Sequence, residues 1–408
     1  MKLLLVTDIP PCTNFTAGLV LDRLVSFLAP GTLALCAVVN PDLHPIFPEA
    51  LQSLPKLLLV KPREASHRIL PGIAGDALAY LSERAQSRRV SKTLVPRIAE
   101  FARQQKVDAI WVVLQGQTMV RVAAQLPGDL GLPLYTQVWD PFGWWLRANC
   151  VDSLTKRGLL AQFDRVISAS AACATASGAM SAAYTMRYRV RNRPVIAGLP
   201  RELAREPATR PHATPHFTIA VAGQFYARTE WDCLIRTLES VHWNLGGRVV
   251  KVRVMGGGFQ AYTQQAANFE YLGWRTQEDT IRLLSEADLL YLPYWFSEEF
   301  REEASNSFPS KLVTYFAAGR PVFCHAPPYA SPAVYLREHQ AAFFSESLDP
   351  PAVARVLGQA LDDVDGYRRI ARNGAECFRR DFTLERMRET FLEFLGMREW
   401  CAAGRNER

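Results

Sequence analysis

The chain has 408 residues, which at roughly 150 residues per domain predicts two or three domains. Hydrophobic residues make up 49% and charged residues 21%; that is enough apolar material for large cores and excludes a disordered or low-complexity chain. The net charge of +7 favours an anionic partner, and it is uneven: residues 1–200 hold 22 Lys+Arg against 13 Asp+Glu and the remainder 25 against 27, so the halves carry +9 and −2.

From the first residue, Leu3–Val6 reads as a buried parallel strand. This apolar start is too short for a secretory core, and Asp8 and two prolines interrupt it. Leu21, Leu24, Val25 and Leu28 then repeat at helical spacing. Further strands are expected at Leu33–Val39, Leu57–Val60, Ala109–Leu114, Leu134–Val138 and Arg165–Ser168, with a long helix over Ala77–Arg103 broken or kinked at Pro96. Pro194–Ala197 ends the first half. Residues 201–216, with Pro207, Pro211 and Pro215, read as a linker.

The pattern then restarts. Strands are expected at Phe217–Val221, Val249–Met255, Phe269–Leu272, Leu289–Leu292 and Val322–Cys324, with helices at Trp231–Val241, Glu278–Ala287 and Lys311–Ala318 and a helical tail from Pro351. Strands alternating with helices give an α/β fold: parallel sheets covered on both faces. Two such Rossmann-like units would face a cleft. The expected domains are 1–200 and 201–380, with 381–408 as a C-terminal helix crossing back to the first.

Several chemistries lack their motifs. After the first strand the chain reads Asp8-Ile9-Pro10-Pro11-Cys12, without the G-x-G-x-x-G of a dinucleotide site. G-x-x-x-x-G-K-[ST], G-x-S-x-G and H-E-x-x-H do not occur. The eight cysteines form no CxxC, which argues against a zinc site and a disulfide scaffold. Asp363-Val364-Asp365 could be a metal-binding pair, but it lies between helical patterns and reads as a solvated loop. No metal and no cofactor is expected.

The informative signals of the second half sit at strand ends. They are Gly223-Gln224-Phe225-Tyr226-Ala227-Arg228, Met255-Gly256-Gly257-Gly258, Tyr271-Leu272-Gly273-Trp274, and the run Ser307-Phe308-Pro309-Ser310-Lys311-Leu312 continuing to Val322. Glycine lets a ligand approach the backbone, and a helix start attracts phosphate through its amides. A cation belongs by preference at the other helix end. Lys311 in a first turn is therefore better explained by a bound anion than by helix stability.

These segments resemble the donor domain of GT-B glycosyltransferases, in particular the large retaining family four (glycosyl transferases group 1). The resemblance covers about residues 217–395, with Ala287-Asp288-Leu289-Leu290-Tyr291-Leu292-Pro293 and Pro309 through Val322 as its most telling stretches. It implies transfer of a sugar from a nucleotide-diphosphate sugar, the co-substrate, to an acceptor hydroxyl with retention and without a metal. The implied donor contacts are Gly223, Gln224, Gly256, Gly257, Gly273, Trp274, Asn306, Ser307, Pro309, Ser310, Leu312 and Thr314. Asn306 and Thr314 stand where the family carries two glutamates, which puts donor identity in doubt. Lys311 and Arg228 are the candidates to stabilise the leaving diphosphate, since fixed charge aimed at developing charge needs no reorganisation. Their structural alternatives are a solvated lysine and an Arg228 paired on the surface.

In the first half, Trp139-Asp140-Pro141-Phe142-Gly143-Trp144-Trp145 is dense in aromatics. Trp139 and Trp144 could wall an acceptor site, anchor at a membrane interface, or pack a corner. Asp140, just past a strand, could take or position the acceptor hydroxyl's proton, or cap a loop. Thr13 and Gly18 bound a loop, Pro10–Gly18, that could close over the acceptor. Arg187, Arg189, Arg191 and Arg193 would share one face of a strand, suggesting an anionic membrane surface or an anionic glycan. The expected partners are the nucleotide-sugar donor and a glycan or lipid-linked glycan acceptor; no nucleic acid is expected. Surface polysaccharide or glycolipid synthesis in the cytoplasm, soluble or peripheral on the membrane's inner face, follows by family analogy. The rivals are a GT-B sugar-nucleotide epimerase and a non-catalytic binding or scaffold protein.

Overall fold

The computed structural model describes residues 1–62, 64, 72–257 and 266–397. The chain forms two compact units, one of Met1–Val195 with the chain from Arg388 onward, the other of Ile196–Met387.

The first unit holds a sheet of seven strands: β1 (Leu3–Thr7), β2 (Leu33–Val39), β3 (Lys56–Val60), β4 (Ala109–Val113), β5 (Leu134–Val138), β6 (Ala172–Thr175) and β7 (Asn192–Pro194). All neighbours are parallel, in the order β3-β2-β1-β4-β5-β6-β7. The order reverses between β1 and β4, so the connections leave their carboxyl ends in opposite directions, which is where open α/β sheets take ligands. Both faces are covered, so β1 and β4 are buried at every residue and read as unbroken apolar runs.

The second unit repeats the architecture with β8 (His216–Ala222), β9 (Asn244–Leu245), β10 (Arg248–Met255), β11 (Phe269–Gly273), β12 (Leu289–Pro293), β13 (Val322–His325) and β14 (Ala342–Ser345). Six strands run parallel in the order β11-β10-β8-β12-β13-β14, and the short β9 pairs antiparallel with β10. The two-sheet α/β expectation is met.

Two local expectations fail for physical reasons. Arg165–Ser168 is the last turn of the helix Ser153–Ser168, not a strand. Val166 and Ile167 face the core with Leu159 and Phe163, a helical spacing hidden in a β-branched run. The strand follows at Ala172–Thr175, whose small residues give little β signal. The arginine stripe does not form either. Arg187 lies in the last turn of the helix Gly178–Tyr188 and pairs with Asp164 at 2.8 Å. Arg191 donates to the Phe394 carbonyl at 3.1 Å, and Arg193 pairs with Glu393 at 3.2 Å. The expected long helix runs as Gly72–Arg89, a π-helical turn Val90–Leu94 and Val95–Gln104, so the regular α-helix is interrupted next to Pro96, which sits in the first turn of the last segment.

The helix Leu384–Phe394 starts in the second unit and ends in the first. There Phe391, fully buried, packs its ring 5.0 Å from Trp111 on β4. Phe391→Ala should cost about 3–5 kcal/mol of first-unit stability, read as a lowered denaturant midpoint; a midpoint equal to wild type would contradict this packing role.

Candidate functional site

In the second unit the carboxyl ends of three neighbouring strands are laced by backbone amides. Gly223, just past β8, donates its N–H to the Met255 carbonyl at 2.9 Å, and Gly256, just past β10, donates to the Gly273 carbonyl at 2.9 Å. Gly223 and Gly256 have φ of +94° and +117°, and a Cβ on Gly256 would lie 2.3 Å from the Gly223 oxygen. Only glycine allows this close crossing. Gly257 is exposed, and Trp274, beyond Gly273, is 71% exposed rather than core. Gly258 lies outside the described residues.

Over this edge stands the helix Ser310–Ala317. Its N-cap is Pro309, which offers no side-chain hydrogen bond, so the first-turn amides lack a side-chain cap. Lys311 reaches back from that turn. Its Nζ donates to the Gln224 carbonyl at 3.0 Å and sits 4.0 Å from the centre of the Tyr226 ring. Its stem passes 3.5 Å from where a Gly223 side chain would begin. No carboxylate pairs with it among the described residues. Burial alone therefore acts on the ammonium and lowers its pKa to about 7. The structure thus brings Lys311, Gly223 and Gln224 together.

The other expected donor residues divide. The Thr314 hydroxyl accepts from Gln277 Nε2 at 3.0 Å, and Asn306 Nδ2 donates to the Glu302 carbonyl at 2.8 Å. Both positions are thus engaged by the protein itself. Ser307 is buried, with its hydroxyl lacking a partner among the described residues; its carbonyl accepts from the Tyr294 hydroxyl at 3.2 Å. Ser310 is exposed as the first helical residue. Leu312 is a correction: its side chain is fully buried in the core and its amide donates to the Pro309 carbonyl. Arg228 opens the helix Arg228–Ser240, exposed and 3.8 Å from Asp232, so the surface-pair alternative describes the contact it makes.

Sequence reasoning missed the aromatic wall beside Lys311. Tyr226 packs against Trp295 at 4.8 Å and Tyr294 at 5.9 Å, and Trp295 stacks on Phe300 at 5.4 Å. The Tyr226 hydroxyl is buried without a partner among the described residues. The signal was visible: Phe225-Tyr226 and Tyr294-Trp295-Phe296 both follow strand ends.

In the first unit, Asp140 lies two residues past β5. It is half-buried, burial raises its pKa, and no hydrogen bond or ion pair engages it among the described residues. With Trp139, Gln115 and Gly116 it lines a small pocket. Trp144 is half-buried, while Phe142 and Trp145 stack at 6.3 Å and Phe142 packs on Phe163 at 4.9 Å; that end of the aromatic run is a packed corner. Gly18 is a second correction. A Cβ there would lie 2.1 Å from Cys12 Sγ, so it packs a helix on its own loop. Thr13 is exposed with its amide on the Ile46 carbonyl at 2.9 Å, and Asn14 holds the His44 carbonyl; the loop is pinned in this state.

A charged chain at the β1–β4 reversal was also missed. Lys61 Nζ lies 3.0 Å from Asp8 and 3.3 Å from Glu64, and Glu64 accepts the Thr118 amide of the helix Gly116–Ala123 at 2.7 Å. Burial disfavours the Lys61 ammonium, yet the two carboxylates outweigh it and hold its pKa above the ordinary value. Burial raises Asp8 against the pull of Lys61. Asp8 stood in the sequence as the residue that breaks the apolar start, but its partners lie more than fifty positions away.

No curated protein matches the chain in sequence. Residues 216–363 match the family model described as glycosyl transferases group 1. Among solved structures, HepE of Anabaena in complex with UDP superposes with a TM-score of 0.65 at 14% identity, over 97% of this chain and 100% of that one. Sucrose-phosphate synthase of Thermosynechococcus elongatus gives 0.65 at 12%, over 99% and 100%. A trehalose 6-phosphate synthase of Burkholderia multivorans gives 0.63 at 13%, over 99% of each. At these identities the likeness is one of fold. The chain therefore has the GT-B fold, and residues 216–363 of its second unit are similar to the glycosyl transferases group 1 family.

Proposed function

We propose that the protein transfers a sugar from a nucleotide-diphosphate sugar to an acceptor hydroxyl. The observation that carries this reading is Lys311: an ammonium without a counter-ion, held by a carbonyl and a ring at an uncapped helix start beside two glycine turns. A diphosphate supplies the missing charge, and the helix amides and lysine bind it together. As the bond from C1 to the diphosphate oxygen breaks, its electron pair stays on that oxygen. Lys311 stabilises the charge where it develops. The acceptor oxygen forms the new bond to C1 and gives up its proton, a task we assign to Asp140, whose raised pKa suits a base. HepE is described with UDP and with UDP-glucose bound, which supports a nucleotide sugar as donor. Retention follows from the family resemblance and is read in the anomeric configuration of the product. A glycan or lipid-linked glycan is the acceptor we infer, in surface polysaccharide or glycolipid synthesis.

One observation favours a binding protein without turnover: Thr314 and Asn306, uncharged, are each engaged by neighbouring groups. A panel of nucleotide sugars separates the readings. Nucleotide release that depends on an added acceptor supports transfer, interconversion of the sugars supports an epimerase, and a thermal shift without turnover supports a binding protein.

Lys311→Met should weaken donor binding at least about tenfold, since a charge-assisted contact is lost, and should not lower the melting temperature, since it removes a desolvated charge. Equal donor affinity in the variant would overturn the assignment.

The pH dependence has a definite sign. The folded pKa of Lys311 lies below the ordinary 10.5, so between about 7 and 10.5 the unfolded chain binds the extra proton and this group's effect on stability improves as pH rises. A dianionic diphosphate favours the ammonium, so donor binding at about pH 8 should take up as much as one proton. Calorimetry in buffers of different ionisation enthalpy measures it, and Lys311→Met should abolish it.

Asp140→Asn should lower kcat by about 100-fold or more, in the range for loss of a general base, with the donor-induced thermal shift unchanged. Unaltered kcat would remove Asp140 from the reaction.

A further inference from the structure

The helix Gly72–Arg89 is built inside out. A surface helix normally turns its apolar stripe to the core and its charges to water. Here the buried residues are Gly75 and Glu83. Glu83, 2% exposed, pairs with Arg121 of the helix Gly116–Ala123 at 2.5 Å, so a buried ion pair fastens the helix to the unit. Asp76, also acidic, lies on the same half-buried side.

The outward side is the apolar one. Ile73 is 90% exposed, Leu78 50% and Leu81 61%. At 3.6 residues per turn these three share a face with Arg84, Arg88 and Arg89, all within about 160° of arc. Alanines fill the spaces between them and no acid falls on this face. Arg88 and Arg89 have no ion-pair or hydrogen-bond partner among the described residues, and the Arg84 guanidinium lies along the Tyr80 ring and hydroxyl. The face is thus apolar toward the helix start and cationic toward its end. Water is a poor solvent for its first half, and a neutral protein surface is a poor partner for its second.

We propose that this face is a membrane-docking element: the helix lies in the plane of an anionic lipid surface, with Ile73, Leu78 and Leu81 entering the acyl boundary and the three arginines meeting headgroup phosphates. An apolar stripe and a basic cluster together supply the two signals that stable interfacial binding needs. The element lies in the unit that carries Asp140, and the proposal is independent of the donor reading. It replaces the arginine strand expected from the sequence, whose Arg191 and Arg193 are engaged with the C-terminal helix.

The test is co-sedimentation of the full chain with large vesicles of phosphatidylcholine alone or with about a third phosphatidylglycerol, at low and raised salt. Wild type should bind the anionic vesicles at least about tenfold better than the neutral ones, with the preference fading in salt. Ile73→Ser/Leu78→Ser/Leu81→Ser and Arg84→Gln/Arg88→Gln/Arg89→Gln should each lose about tenfold or more. Both variants should keep the wild-type melting temperature and donor-induced thermal shift, since the altered side chains are exposed. A lost donor shift in wild type would count against the transferase reading and leave this one standing. The proposal is overturned if wild type ignores anionic vesicles, if both variants bind as it does, or if the apolar variant instead dissolves a concentration-dependent dimer that shows no vesicle affinity.

Discussion

The second unit is organised around an unpaired ammonium in a desolvated place. Half-buried Lys311 finds a carbonyl and a ring face, both weaker partners than a carboxylate. The neighbourhood is arranged so that its field remains available. The glycine crossings bring backbone close without side chains, the proline start leaves helix amides without a side-chain cap, and the Tyr226 ring lies beside the ammonium. These features together fit the proposed bound diphosphate.

The first unit shows the opposite solution with the same residue type. Lys61 is as crowded as Lys311 but lies between Asp8 and Glu64. Burial pushes both lysines down; at Lys61 two carboxylates reverse the direction, and at Lys311 nothing does. Lys61 is thereby committed to structure, tying the ends of β1 and β4 to a helix start. Asp140, past a strand two places from β1 in the same sheet, has no hydrogen-bond or ion-pair partner among the described residues. Charge satisfied and charge withheld divide these residues between holding the fold and meeting a ligand.

The helix Gly72–Arg89 follows the same logic on a surface. Its buried acid is neutralised by Arg121, whereas outward Arg88 and Arg89 have no ion-pair or hydrogen-bond partner among the described residues and Ile73, Leu78 and Leu81 are exposed. Its polarity is inverted because its fastening is ionic, which leaves the apolar side chains to face outward.

What the sequence determined by itself was the set of local periodicities and the chemistry at strand ends. Buried parallel strands such as Leu33–Val39 and Ala109–Val113 announce themselves because both faces are covered and no polar residue intervenes. The glycine turns and Lys311 were legible because each violates a local preference, of backbone or of helix dipole, and a violated preference needs a reason. The tertiary structure decided the rest, because it concerned pairing across long separations. No periodicity connects Asp8 to Lys61, Glu83 to Arg121, or Arg193 to Glu393. Leu312 looked like a site residue beside Lys311 until its helix turned it inward, and Val166 and Ile167 looked like a strand until a helix shared them with the core. Sequence spacing fixes which side chains share a face; only the packed chain fixes what that face meets, since burial and charge compensation are properties of the neighbours.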